Sequence, residues 1–495
     1  MTGNVFKNKL FFSLLLLEII ALCAFCEKKT DTIIVTPPTP TPIPVVSAVG
    51  KAQVWLTTDD QTSLLKQLTD IALIKKEATT LPTITIDSTI KYQSMDGFGA
   101  ALTGASAFNI NKLNDADKKI LLNNLFSPTA GIGISYLRIT LGASDFSLNS
   151  FSYDDVAVGQ TDVDLKYFSI APDQAEVIPV LKLIKSINPT LKILASPWSA
   201  PAWMKTSGNM VGGSLKPEFY AAYANYFVKY IKAYQAEGLT IDAVTPQNEP
   251  LYFDAKYPCM SMLAGEQADF IKHNLGPAFK KEGINTKIII YDHNWDHPEY
   301  PMSILADTSA AKYISGSAFH GYGGNVGNMS PVHQAFPDKD LYFTEISGGD
   351  WASDFSGNLM WNVSNIFIGT AKNWSKSALM WNLVLDQNHG PKNFGCDNCR
   401  GVITINTNNT ITNNVEYWVI GHFSKFVKSG AFRIASTSTL QTSQLDQVAF
   451  MNPDGTKVLV VMNPEDNIKN FVVRINDRQL SGTLMAKSVL TLIID

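Results

Sequence analysis

The 495-residue chain is 45 % hydrophobic and 17 % charged, enough apolar material for a large buried core and enough length for two or more domains. Its formal net charge of −4 supplies no basic face, so nucleic acid is excluded as a partner. In chain order, residues 1–26 read as an export signal. Lys7 and Lys9 precede an apolar run from Leu10 to Phe25, interrupted by Ser13 and Glu18 and too short for a membrane-spanning helix. Cys26 ends that run and is followed by Glu27, Lys28, Lys29 and Asp31, which resembles a bacterial lipoprotein processing site. Phe25 is bulky where a small residue is usual, which makes Cys23 the rival lipid acceptor. The stretch 27–50 contains the Thr/Pro run from Thr36 to Pro44 and reads as a stiff, extended tether. The expectation is an exported protein held by a lipid on a bacterial membrane, the outer one by preference, in the periplasm or at the cell surface.

Residues 51–90 carry strand-like runs without helices. From 91 to 415, β-rich runs alternate with amphipathic stretches. The predicted strands are Gln93–Gly99, Tyr136–Thr140, Lys192–Pro197, Ala243–Glu249, Lys287–Asn294, Ser315–Tyr322, Leu341–Ile346 and Ala378–Asp386. Between the third and fourth, aromatics recur every three or four residues from Tyr220 to Tyr234, with Pro217 before them and Gly238 after, which predicts a helix. Eight β/α alternations predict an α/β fold, a closed (β/α)8 TIM barrel. Residues 416–495 return to strands, with Asn452-Pro-Asp-Gly455 as a tight turn. The two flanks together predict an attached β-sandwich domain formed from both chain ends.

Chemistry in such barrels gathers where the strands end, and these ends are polar. The second strand leads through Arg138 to Asp145, Trp198 follows the third, Asn248-Glu249 end the fourth, and Tyr291-Asp-His-Asn294 the fifth. His320 and Tyr322 close the sixth, Glu345 the seventh, and Trp381 lies on the eighth. Strands four and seven face each other across a barrel mouth, so Glu249 and Glu345 oppose one another. Two carboxyl groups about 5 Å apart are the requirement for glycoside cleavage with retention. The charge of one is expected to raise the pKa of the other, and the reading places that rise at Glu249. Asn248 is suited to donate to a sugar hydroxyl, and the indoles of Trp198 and Trp381 to sit against a ring. His293 and His297 sit four apart, but Pro298 and the lack of a third ligand speak against metal; no metal and no cofactor are expected. Cys396 and Cys399 form one CxxC with no second pair to complete a zinc site. In an exported chain that spacing suits a local disulfide.

Four motifs together resemble glycoside hydrolase family 30, over nearly everything from residue 51 onward. They are Gly97-Phe-Gly-Ala-Ala-Leu-Thr103, the run from Ala195 to Lys205, Gln247-Asn-Glu-Pro250 and Gly421-His-Phe-Ser-Lys-Phe426. The resemblance implies Glu249 as acid/base and Glu345 as nucleophile. It also implies that Asp145, Trp198, Asn248 and Trp381 contact the sugar, with His320 and Tyr322 beside them. Tyr291-Asp-His-Asn294 and the loop Gly395–Gly401 are similar to the β-1,6-glucanase branch, which implies a β-glucan polysaccharide as substrate partner. An exo-acting β-glucosidase or glucosylceramidase is the alternative, and a non-catalytic surface glycan-binding protein the reading from another class.

Overall fold

The computed structural model describes residues 47–253 and 255–495. The export segment, Cys26 with its rival Cys23, and most of the tether lie outside the described residues. Among the described residues no helix is long and apolar enough to cross a membrane.

Eight parallel strands close into a barrel in chain order: Gly97–Leu102, Tyr136–Thr140, Lys192–Ser196, Ala243–Val244, Lys287–Asn294, Ile314–His320, Asp340–Glu345 and Ser375–Met380. Alternation along each strand sorts its side chains. Leu137, Ile139, Ile193, Ile288, Ile290, Leu341 and Phe343 face outward into the large core beneath the helices. Tyr136, Leu194, Ala243, Ile289, Ala318, Tyr342 and Leu379 pack together inside the barrel. One inward step further along the strands, that column turns polar: Arg138, Ser196, Thr245, His320 and Thr344 are all buried. The barrel is therefore a plug of apolar side chains capped by a polar layer. The cap is built by the same alternation that fills the plug.

The predicted helix after the third strand forms as Tyr220–Ala236, preceded by a short 3-10 turn at Pro217–Phe219. It ends where Gly238 adopts a positive φ of 81° and the Leu239 N–H reaches back to the Tyr234 carbonyl at 3.0 Å, a turn that favours glycine. Two predicted strands divide. The run read as Gln93–Gly99 straddles a sandwich strand, Thr83–Ser94, and the first barrel strand, Gly97–Leu102. The run read as Ala378–Asp386 breaks after Met380, and Val384–Asp386 joins a separate three-stranded sheet with Ile403–Ile405 and Ile411–Asn413.

Three strands before the barrel and six after it, from Phe432–Ser438 to Ser488–Ile494, hydrogen-bond into one closed sheet around its own apolar core. Gly50–Thr57 pairs antiparallel with Ser488–Ile494, so the two chain ends build one domain. Asn452–Gly455 makes the expected turn, with Gly455 at φ 88° and the Asn452 N–H bonded to the Thr456 carbonyl at 2.8 Å. The helix Val415–Ser424 lies between the two bodies. Its buried His422 bonds Thr57 on the first sandwich strand and Thr491 on the last, each at 2.8 Å.

Candidate active site

The polar cap converges on a carboxylate that the alternation alone does not aim inward. Counting from Ile289, Tyr291 should point into the barrel. A register shift between Tyr291 and His293, with positive φ at Tyr291 (74°) and Asp292 (62°), turns Asp292 inward in its place. Side chains from four other strand ends reach its oxygens at 2.7–3.0 Å: Arg138, Ser196, His320 and Thr344, joined by Thr245 just past the fourth. Burial alone would raise this carboxyl. The Arg138 charge and the His320 hydrogen bond outweigh burial and hold Asp292 well below the usual carboxylate range.

Arg138 is fully buried and distributes its donors. Nη1 donates to Glu345 Oε2, and Nη2 donates to Asn248 Oδ1 at 2.6 Å as well as to Asp292. Taking up Asn248 Oδ1 turns the amide NH2 of that side chain away from the guanidinium. Tyr322 donates its hydroxyl to Glu345 Oε1 at 3.0 Å. Both oxygens of Glu345 therefore accept, which is the arrangement a carboxylate anion prefers. His320 stands between the two halves: one ring nitrogen is 3.0 Å from Asp292 Oδ1 and the other 3.0 Å from Glu249 Oε1. Burial would lower this imidazole, but the Glu345 charge and the bonds to Asp292 and Glu249 push it up to about 9.

Glu249 follows the short fourth strand with φ 45°, a left-handed backbone that costs a non-glycine residue on the order of 1 kcal/mol or more. Its N–H donates to the Asp292 carbonyl at 3.0 Å, tying the two strained turns together. Oxygens of Glu249 and Glu345 lie within 4.8 Å of each other and of a His320 nitrogen. With both His320 nitrogens engaged by carboxylates and its ring charged, that trio offers no free imidazole lone pair for a metal.

The pKa shifts fall differently from the expectation. Burial raises Glu345 against the pull of His320 and Arg138, and the Glu249 charge adds to the rise. Burial also pushes Glu249 up, but the His320 hydrogen bond and charge, with His293 and Arg138 behind them, bring it below its ordinary value. The physical reason is the imidazole. The expectation weighed only carboxylate against carboxylate, whereas Glu249 is the anionic partner of a charged histidine.

A cavity of about 400 Å³ opens above this layer. Of the predicted residues, Asp145, Glu249, Tyr322, Glu345 and Trp381 line it, with Cys396 and Cys399 at its wall. Asp145 Oδ1 is buried without a hydrogen-bond partner among the described residues, and burial beside Glu345 and Glu249 raises its carboxyl well above the ordinary range. Arg138, Asn248 and His320 form the layer beneath. Trp198 is not in the cavity wall. It stacks behind Trp381, ring centroids 5.0 Å apart and 22° between planes, with the Arg138 guanidinium 4.9 Å from its own ring. Of the two histidines four apart, His293 lines the cavity, while His297 pairs with Glu299.

Cys396 and Cys399 form a disulfide. Cys399-Arg400 pairs antiparallel with Gly348-Gly349, three residues past Glu345, and Arg400 is anchored on the buried Glu416 at 2.9 Å. The loop is thereby clipped to the segment that carries the seventh-strand carboxylate. Sequence reasoning did not single out Asp292, Tyr252, Tyr257, Ser347 or Trp351 as site residues. Asp292 stands in the run Tyr291-Asp-His-Asn294 that the sequence analysis quotes, and that polar run near the end of a strand was the available signal. The others sit on irregular loops without periodicity.

The glycosyl hydrolase family 30 TIM-barrel domain matches residues 95–427, and the family's β-sandwich domain matches residues 430–492. An endo-1,6-beta-D-glucanase of Neurospora crassa is 36 % identical over 430 residues, covering 83 % of this chain and 88 % of that protein. The lysosomal acid glucosylceramidase of Mus musculus is 31 % identical, covering 77 % of each. A solved endo-beta1,6-glucanase superposes with a TM-score of 0.83 at 37 % identity, covering 90 % of this chain and 99 % of the other. With two domain matches, in order, spanning the barrel and the sandwich, the chain belongs to glycoside hydrolase family 30 and is a glycoside hydrolase.

Proposed function

We propose that the chain hydrolyses β-1,6-linked glucan with retention of configuration. Glu345 attacks the anomeric carbon, while the glycosidic oxygen takes a proton from the Glu249–His320 pair and leaves. In the second half Glu249 takes a proton from water, the water attacks the same carbon, and Glu345 is released. The observation that carries this reading is the approach of the Glu249 and Glu345 oxygens to within 4.8 Å, the spacing of direct attack and too short to hold both a sugar ring and an attacking water between the two carboxyl groups. Arg138 and Tyr322 hold Glu345 ready as the nucleophile. Support for the linkage comes from the relatives: the fungal protein and the solved structure bear the name endo-β-1,6-glucanase at 36 % and 37 % identity. The glucosylceramidase relative makes a glucosyl lipid the competing substrate.

Linear β-1,6-glucan is expected to be cut with initial release of the β-anomer, followed by NMR of the fresh products. No turnover of that polymer, with turnover of a glucosyl lipid, would overturn the linkage. Release of the α-anomer would overturn the roles of the two glutamates. The same proposal includes an exported enzyme, lipid-anchored through Cys26 and held off the membrane by the Thr/Pro tether; its support is the sequence of residues 1–50. Metabolic labelling with a palmitate analogue is expected to mark the protein, and Cys26→Ser to abolish the label.

A further inference from the structure

The catalytic cavity does not end at Tyr322. Tyr322, Ser347 and Trp351 also belong to the wall of a second cavity, about 500 Å³, that runs on beside the segment following Glu345. Its outer part is lined by Trp361, Asp354 and Asn358. The two indoles are among the most exposed aromatic side chains of the molecule, 55 % for Trp351 and 43 % for Trp361.

These tryptophans are held, not loose. A Cβ built on Gly349 would lie 2.0–2.4 Å from three atoms of the six-membered ring of Trp351, so the indole occupies the space that the missing side chain leaves. Gly349 is itself fixed by its pairing with Cys399. Trp361 ends the helix Phe355–Trp361, whose start is capped by the Asp354 carboxylate accepting the Gly357 N–H at 2.6 Å. Exposed indoles on a fixed backbone cost little entropy on binding, and their alternation with a carboxylate and an amide suits a ring with apolar C–H faces and hydroxyl edges. An acyl chain would instead want an unbroken apolar lining.

From this geometry we infer that Trp351 and Trp361 form an outer sugar-binding platform. It takes glucose units of the same chain lying beyond the unit that is cleaved. The inference rests on the reading of the protein as a glucan hydrolase and extends its site from one pocket to a groove. Trp351 is the step between the two cavities. Trp361 touches only the outer one.

The test is the dependence of rate on chain length for the wild type and Trp361→Ala. Substrates are an aryl β-glucoside, β-1,6-gluco-oligosaccharides of two to eight units and a glucosyl lipid. In the wild type kcat/KM should climb with length. In Trp361→Ala the aryl glucoside and the shortest oligosaccharides should be unchanged, while KM for the longest rises about tenfold with kcat preserved, and Trp361→Phe should restore most of the loss. A loss of equal size on every substrate would mean a structural role and would sink the platform. So would no loss at any length, or a loss confined to a glucosyl lipid. If the wild type ignores β-1,6 chains but cleaves another β-glucan, the linkage reading has failed. The same series on that glucan then decides the platform by the same criterion.

Discussion

Five side chains converge on Asp292, and through Arg138 and His320 it reaches both glutamates. The centre is thus a set of charges that fix one another. Removing Glu345 opens a hole at the attacking position. Glu345→Ala should lose turnover by about 10⁴-fold or more, and added azide should restore part of it by attacking the anomeric carbon from the vacated side. The product should be the glycosyl azide of inverted configuration, read by NMR; unimpaired activity in the alanine variant would remove Glu345 from the role. A second prediction concerns protons. With His320 pushed up to about 9, the Glu249–His320 pair keeps its shared proton until the medium is strongly alkaline, so the alkaline limb of kcat/KM should fall near that value. In His320→Gln the carboxyl of Glu249 must hold the proton alone, and the limb should move down by more than about 1 unit. An unmoved limb would show that another group sets it. The two glutamates were legible in the sequence because each follows an apolar strand in a matching position. Asp292 was not, because a one-residue shift at Tyr291 decides which of two neighbours faces inward, and nothing in the alternation of Lys287–Asn294 announces the shift.

Strands were readable to the residue where the backbone stays in the sheet, and not where it leaves the sheet early. Tyr136–Thr140 and Lys287–Asn294 form as predicted, whereas the run Ala243–Glu249 pairs only over Ala243–Val244. The Thr245 N–H still bonds the Ala195 carbonyl at 3.1 Å, but beyond Pro246 the backbone has left the sheet to turn Asn248 and Glu249 over the mouth. The disulfide loop was visible as a spacing, while its pairing partner Gly348-Gly349 was not, since a two-residue strand of glycines carries no pattern. That pairing gives the loop a task. Cys396→Ser with Cys399→Ser removes a closure of only three residues' separation, so the thermal unfolding midpoint should fall by no more than about 2–3 °C. The wall it holds lies beside the cleft, so hydrolysis of β-1,6-glucan should fall more than hydrolysis of an aryl β-glucoside. Equal losses would mean that the loop supports the catalytic centre and not the choice of polymer.

The whole molecule depends on how barrel and sandwich are joined. Both bodies were legible, the barrel by its alternation and the sandwich by the strand-like runs of both flanks, although the C-terminal flank opens with the helix Val415–Ser424, which the sequence reading counted as sandwich. The order in which nine strands pair was not, because antiparallel strands of similar length and burial offer many equivalent neighbours. His422 sits in the joint, bonded to Thr57 and Thr491, and burial brings its pKa down to about 3. The unfolded chain binds a proton at this imidazole below about 6.5, where the folded chain does not. Its contribution to stability is complete above that pH and is lost as the pH falls. At pH 5 the loss through this group should be about 2 kcal/mol relative to pH 7.5. His422→Gln should flatten the pH dependence of the unfolding free energy from urea titration by that amount, all other groups being common to both proteins; parallel curves would contradict it.

The pairing of Gly50–Thr57 with Ser488–Ile494 also sets an order of events. The first strand of the sandwich leaves the ribosome early and finds its final neighbour only after more than 430 further residues have been made. Until then its edge is open, and the sandwich cannot close around its core. Contacts so distant along the chain form slowly. A polypeptide of this design stays unfinished for the whole of its synthesis, its two ends meeting only when the last strand has been made.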